Sequence, residues 1–272
     1  MPVEKINGVD LHYEIDGEGP PLVIVHGSWT DHTAWALVAQ RLEGSFRVIR
    51  YDRRGCSRSE RPPGPRTRRD DEDDLAAVIE QFADGRASVV ASSFGGLITL
   101  GLAARRPELL DRLCVHEAPS AALVDEGEGT RVVADSLDLL QEVIEQIEAG
   151  DSAGGAFRFV EELALGPGGW EMLPEQIREA FVNNATTFAA EQRDPGWSDL
   201  NLAAIIDHGH PLLLTHGTTS PDWLLITQEA LIAALPHAET AIIEGAGHSP
   251  HMSHPDDFSP VLRTFLRERA PA

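Results

Sequence analysis

Lysine is nearly absent from this 272-residue sequence: Lys5 is the only one. Lys+Arg reach 22 against 44 Asp+Glu, a formal net charge of −22 at pH 7. So acidic a chain repels phosphate backbones and anionic membranes, which argues against nucleic acid or a membrane surface as a partner. Cysteine is scarce too. Cys56 and Cys114 are the only two and lack metal-ligand spacing, so no disulfide framework is implied and a reducing compartment fits. No stretch approaches the ~18 consecutive apolar residues of a membrane span. The first residues, MPVEKINGVDLHYE, carry no basic-then-apolar leader, and a soluble, cytoplasmic protein is expected.

What is present is ordinary globular composition, 42% hydrophobic and 24% charged. At roughly 150 residues per domain this makes one large domain or two small ones. Asn7–Ile15 alternates as a half-buried edge strand after an Asn-Gly turn. Leu22–Val25 is a short β-branched run of the kind buried on both faces in a parallel sheet, and Arg47–Tyr51, Ser88–Ala91, Leu113–His116, Leu212–Thr215 and Thr240–Ile243 resemble it. Helical stretches alternate with these runs: Asp70–Phe82, opened by five acids that suit a helix N-terminus, then Leu97–Arg106, Gln228–Leu235 and Pro255–Arg269, interrupted at Pro260. The Arg/Pro-rich loop Glu60–Arg69 is expected to pair with that acidic run. The alternation predicts an α/β fold, a mostly parallel central sheet with helices on both faces.

One segment breaks the alternation. Residues 120–201 carry helical pattern and Gly-rich turns, with an amphipathic helix at Ser136–Ala149 and a second at Pro174–Glu191. We read them as a helical cap, or lid, inserted into a core domain of residues 1–119 and 202–272. An insertion after a strand's C-terminal end tends to cover a binding site in open α/β sheets.

Three elements carry chemistry. Strand Val89–Ala91 runs through Ser92-Ser93-Phe94-Gly95-Gly96 into a helix, the pattern A-x-S-x-G, whose small neighbours allow a tight turn to lift Ser93 out as a nucleophile. Alone, the same letters also fit a Ser/Gly-rich helix cap. Second, strand Leu22–Val25 ends in His26-Gly27-Ser28, a loop able to bring a backbone N–H of Ser28 (or of Trp29) beside that of Phe94 as an oxyanion hole, with Gly27 supplying flexibility and His26 structural. Third, Glu244–Pro250 places His248 on a Gly-flexed loop after the last strand, suited to a general base. His251 and His254 follow at three-residue spacing, but prolines interrupt the stretch and a metal site is disfavoured.

In this order the elements resemble the α/β-hydrolase superfamily. The likeness extends to Tyr51–Ser59 (YDRRGCSRS), similar to that family's D-x-R-G-x-G-x-S loop, where Asp52 would brace turns. The family's usual acid follows the next-to-last strand in a G-x-x-D turn; here Gly217-Thr218-Thr219-Ser220 places serine there. Glu117, at the end of the strand after the elbow, is the preferred acid, an alternative the resemblance allows from haloalkane dehalogenases and zearalenone-type lactone hydrolases. Asp222 is the alternative. Cys114–Pro119 and Met252–Phe258 also look similar to segments of those lactone hydrolases.

Serine at the elbow, rather than the aspartate of dehalogenases and epoxide hydrolases, implies acyl transfer. The expected protein is a cofactor-independent serine esterase or lactonase acting on a small molecule, with no metal. Trp29, Trp170, Trp197 and Phe188 either line an apolar substrate pocket or fill the core between cap and base. A homodimer is compatible with the sequence. The competing readings are a non-hydrolytic ligand-binding protein or lyase on the same scaffold, and a serine-dependent carbon–carbon bond hydrolase.

Overall fold

The short apolar runs become strands because a parallel strand is shielded on both faces and has no polar side to alternate with. The structure, a computed structural model, describes residues 2–124, 127 and 129–267. One eight-stranded sheet is built from β1 (Val3–Ile6), β2 (Val9–Asp16), β3 (Pro21–Val25), β4 (Arg47–Tyr51), β5 (Ala87–Ser92), β6 (Leu110–His116), β7 (Leu212–Gly217) and β8 (Glu239–Ile243). Their order is β1-β2-β4-β3-β5-β6-β7-β8. The pairs β1–β2 and β2–β4 are antiparallel and all later pairs parallel. Leu22, Val23, Ile24 and Val25 are buried, as the run of β-branched residues implies. The strand at Thr240–Ile243 differs. As β8 it closes the sheet with one neighbour only, so Ile242 stands 52% exposed.

Helices cover both faces. A 3-10 turn (His32–Trp35) leads into α1 (Ala36–Leu42), which packs beside the C-terminal helix; α2 (Arg68–Phe82) and α3 (Phe94–Arg105) pack on the opposite face. Thr67 and Asp70 close a reciprocal capping box at the start of α2. The acids that follow do more than complement the helix dipole. Asp71 pairs with Arg66 and with Arg53 at 3.1 Å, Glu72 with Arg68 at 3.0 Å and Arg105 at 2.6 Å, and Asp74 with Arg54 at 2.5 Å, all three acids buried.

Between β6 and β7 the chain leaves the sheet for α4 (Gly129–Glu148), α5 (Ser152–Phe159, continued by a π-helical turn, Val160–Ala164), α6 (Gly169–Met172) and α7 (Glu175–Gln192). These helices share their own apolar cluster, in which Val143, Ile144, Ile147, Ala156, Leu163, Ala185 and Phe188 close around Trp29. The chain returns through α8 (Leu202–His208), whose Ile205 joins the core beside α3. Trp197 packs against that same core and not among the aromatics of the insertion, because Arg68 holds its carbonyl at 3.1 Å down on the α2 side.

After β7 come α9 (Asp222–Ala234), then β8, α10 (Pro250–Ser253) and α11 (Pro255–Arg267). Pro260 does not interrupt α11. It sits early, where the carbonyl its ring displaces, that of Asp256, belongs to the solvent-exposed first turn. Arg269, expected in this helix, lies outside the described residues.

Candidate active site

Register brings the reactive segments together. Val25 pairs with Ala91, Ser92 with His116, His116 with Thr215 and Gly217 with Ile243. The residues that follow β3, β5, β6, β7 and β8 therefore emerge side by side at the C-terminal edge, where ligands of open α/β sheets bind.

Ser93 occupies the turn between β5 and α3 with φ 53 and ψ −129, a conformation L-residues rarely adopt. Its N–H is pinned to the carbonyl of His116 at 2.8 Å, and its own carbonyl accepts the Gly96 N–H at 2.8 Å. The turn forms with Ala91 in place of the customary glycine. Gly27 is required by proximity: a Cβ there would lie 2.9 Å from the Ser93 Cβ. The backbone after β3 thus lies directly against the serine.

Glu117 follows β6, also in a strained turn (φ 45), and its carboxylate is completely buried. Oε2 faces Nδ1 of His248 at 2.7 Å; Oε1 accepts the Gly217 N–H at 2.8 Å and the Ser220 hydroxyl at 2.5 Å. Burial alone raises its pKa, but the His248 hydrogen bond, the neighbouring histidines and Ser220 outweigh this and bring it down to about 2. An ionised carboxylate only accepts, so Nδ1 of His248 carries the proton and Nε2 keeps its lone pair. His248 is 16% exposed, on a loop stitched to the 217–220 turn by Thr219 N–H to Ala246 O at 2.9 Å and Gly245 N–H to Thr218 Oγ1 at 2.8 Å. Among the described residues Ser93 Oγ and His248 Nε2 have no hydrogen-bond partner, and both residues are half-buried.

The other expected acid is elsewhere. Asp222 is exposed at the first position of α9, where it complements the helix dipole. The reason is local: the turn after β7 directs Ser220, not Asp222, at Glu117. Of the histidines near the base, His251 is buried and stacked on Trp35 (centroids 4.2 Å apart), and His254 is half-buried and bonded to Ser253; neither forms a ligand cluster with His248 among the described residues. His26 is structural. Its Nδ1 donates to Gly27 O at 2.7 Å and its Nε2 accepts the Arg53 N–H at 2.9 Å, while burial pushes its pKa down to about 4.

Phe94 opens α3, so its N–H has no acceptor within the helix. Ser28 N–H lies on the loop that Gly27 presses against Ser93. Sequence reasoning did not find what holds that loop. Ser28 Oγ donates to Glu191 at 2.6 Å, Asn184 donates to the carbonyls of Trp29 at 3.0 Å and Thr30 at 3.1 Å, and Thr187 donates to Gly55 O. Asn184, Thr187 and Glu191 form one buried stripe of α7 at intervals of three and four residues. Glu191 also meets Arg53 at 2.6 Å, and Arg53 donates to Gly27 O at 3.2 Å. The signal was the spacing of three polar residues on an otherwise amphipathic helix. Trp29, with φ 70, is buried among Phe188 (4.2 Å), Phe159 (4.7 Å) and Phe181 (5.6 Å), while Trp170 is half-buried at the edge of that group against Phe157.

The alpha/beta hydrolase family profile matches residues 22–261. With the sheet order and the strained serine turn already described, the chain belongs to the alpha/beta hydrolase family. Two Bacillus subtilis proteins, an AB hydrolase superfamily protein and an uncharacterized hydrolase, are each 34% identical to it; the chain spans 41% and 42% of their length. A 2-hydroxymuconate semialdehyde hydrolase from a Pseudomonas strain is 28% identical over 96% of this chain and 92% of its own. Among solved structures, an alpha/beta hydrolase from Sphaerobacter thermophilus superposes with a TM-score of 0.80 at 28% identity, covering 97% of this chain and 99% of that one. An enol-lactonase from Burkholderia xenovorans shares the fold, with a TM-score of 0.79 at 24% identity over 98% of this chain and 100% of that one.

Proposed function

We propose that the protein is a serine hydrolase that cleaves a carboxylic ester or lactone through an acyl-enzyme on Ser93. The observation that carries this reading is the Glu117–His248 pair at 2.7 Å, with Glu117 at the end of the strand adjacent to the strained turn of Ser93. Ser93 Oγ attacks the carbonyl carbon while its proton passes to His248 Nε2. The carbonyl oxygen becomes an oxyanion facing the N–H groups of Ser28 and Phe94, which are fixed before the reaction begins. The imidazolium, paired with ionised Glu117, then gives its proton to the departing alkoxide, and the alcohol leaves. Water repeats the cycle on the acyl-enzyme, losing its proton to His248 and releasing the acid and free Ser93. In a lactone the alcohol remains tethered to the acyl group until that water attacks. None of these steps calls for a cofactor.

Residues 120–201 act as the cap; Trp29 and Phe188 fill the core between cap and base, and Trp170, half-buried at the edge of their cluster, is the aromatic left to offer apolar surface to a substrate. The test is a panel of p-nitrophenyl esters and lactones assayed with the wild type and Ser93→Ala. Turnover of at least one of them that vanishes in the variant is expected; turnover that persists would falsify the proposal. The full-length relative named 2-hydroxymuconate semialdehyde hydrolase supports a second reading, carbon–carbon bond hydrolysis by the same residues. That compound belongs in the same panel, and faster cleavage of it than of any ester would favour the second reading.

A further inference from the structure

Away from Ser93, β2 carries two potential metal ligands on one face. His12 and Glu14 are two residues apart in a strand and so project to the same side. His32, first residue of the 3-10 turn, meets them there: its ring lies 4.8 Å from that of His12, and its Nε2 is 3.5 Å from Glu14 Oε1. One ligand atom from each of the three residues lies within 4.8 Å of the others. From these contacts we infer that His12, Glu14 and His32 bind a divalent transition-metal ion of the zinc class, separate from the catalytic residues.

Four observations support the site. His12 is 1% exposed, and its Nε2 is buried without a hydrogen-bond partner, a costly arrangement unless something occupies its lone pair. His32 is already oriented for ligation, because its Nδ1 is hydrogen-bonded to Asp52, the carboxylate–histidine arrangement that stands behind metal-bound imidazoles and leaves Nε2 free. The 3.5 Å between His32 and Glu14 is long for a charge-assisted hydrogen bond. It is close to the roughly 3.3 Å separating two ligands on a tetrahedral ion with bonds of about 2.0 Å. Finally, the surroundings are anionic. Among the described residues, the arginines paired with Glu14, Asp16, Asp31 and Asp52 are Arg50 and Arg58, so a dication balances the local charge.

Two imidazoles and one carboxylate select a zinc-class ion over calcium or magnesium, which take oxygen ligands. Glu14 is 33% exposed, giving the ion an entry and leaving a fourth position for water. β4 and β3 separate β2 from the nucleophile strand, so the ion would tie β2 to the segment that follows the Ser28 loop rather than touch the substrate.

The experiment is a zinc titration of the chelator-treated full chain by calorimetry, repeated with cobalt as an absorbing probe. Wild type, His12→Gln, Glu14→Gln and Glu117→Gln are compared. One ion per wild-type chain and a higher melting temperature with zinc are expected, with affinity lower by roughly tenfold or more in the first two variants. Both of those should keep the wild-type rate on whatever substrate the chain turns over. Absence of saturable binding, or equal affinity in wild type and both variants, overturns the site. Loss of the ion in Glu117→Gln alone would place it at His248 and also overturn it. If His12→Gln fails to fold, the partly exposed Glu14→Gln decides.

Discussion

The hydroxyl of Ser220 donates to Glu117 at 2.5 Å, from the turn in which an acid was expected. The carboxylate that faces His248 stands at the end of the neighbouring strand, and this turn supplies it with two donors, Ser220 Oγ and Gly217 N–H.

Glu117→Gln should therefore lower kcat on any ester the wild type cleaves by about 10³-fold, since a neutral amide neither fixes the tautomer nor offsets the imidazolium. Asp222→Asn should stay near the wild-type rate. Ser220→Ala should fall between them, because Glu117 keeps the Gly217 N–H and His248. Comparable, small losses in the first two variants would leave neither residue as the acid.

Ser93→Ala should abolish turnover without a change in melting temperature. Ser93→Gly should be equally inactive yet more stable, by about 1 kcal/mol, because glycine accepts a positive φ at little cost. Urea titration of both variants reads the difference, and a Gly variant less stable than the Ala variant would contradict the strain argument.

Glu191 joins Ser28 to the buried guanidinium of Arg53. Glu191→Ala leaves that cation with Asp71 as its remaining carboxylate and should cost about 3 kcal/mol in stability. Ser28→Ala keeps the ion pair, so it should preserve the melting temperature while lowering kcat more than it changes KM. Circular dichroism melts beside steady-state kinetics separate the two effects.

Acid should destabilise the fold early. Burial lowers the pKa of His26 and His116 to about 4, so the folded chain resists protons that the unfolded chain takes up near 6.5. Stability from these groups is complete above about 6.5 and drains away as the pH falls towards 4. Glu117, brought down to about 2, adds a further loss between its unfolded value of 4.5 and 2. Urea midpoints at several pH values between 7.5 and 4 provide the check; a midpoint constant from 7 to 5 would contradict this assignment.

The sheet was legible because its central strands are short apolar runs buried on both faces, although the same pattern also occurs in edge strand β8, whose Ile242 is exposed. Ser93 and His248 were legible because each sits in a turn that only small residues permit. Glu117 emerged as a choice between two acids, and only the register of β6 against β7 shows which one meets the histidine. The acids of α2 were read as helix-end charges and as partners of the 60–69 loop, and the Arg66–Asp71 and Arg68–Glu72 pairs bear out the second reading; Arg53, Arg54 and Arg105, which reach the same buried acids from other segments, were not foreseen. Long-range pairing leaves no periodic trace in a single sequence. The polar stripe of α7 was hidden for the same reason: its partners, residues 28–30 and 55, are more than a hundred positions away.

That stripe decides how interchangeable the inserted helices are. A foreign insertion grafted between β6 and β7 would remove the struts beneath the Ser28 loop and leave the buried Arg53 guanidinium with Asp71 as its one carboxylate. Chimeras that exchange only α4 to α6, or that retain Asn184, Thr187 and Glu191, keep the loop supported. If the proposed function holds, new substrate preferences are best sought in α4 to α6, since α7 is the beam on which residues 28–30 and 55 rest.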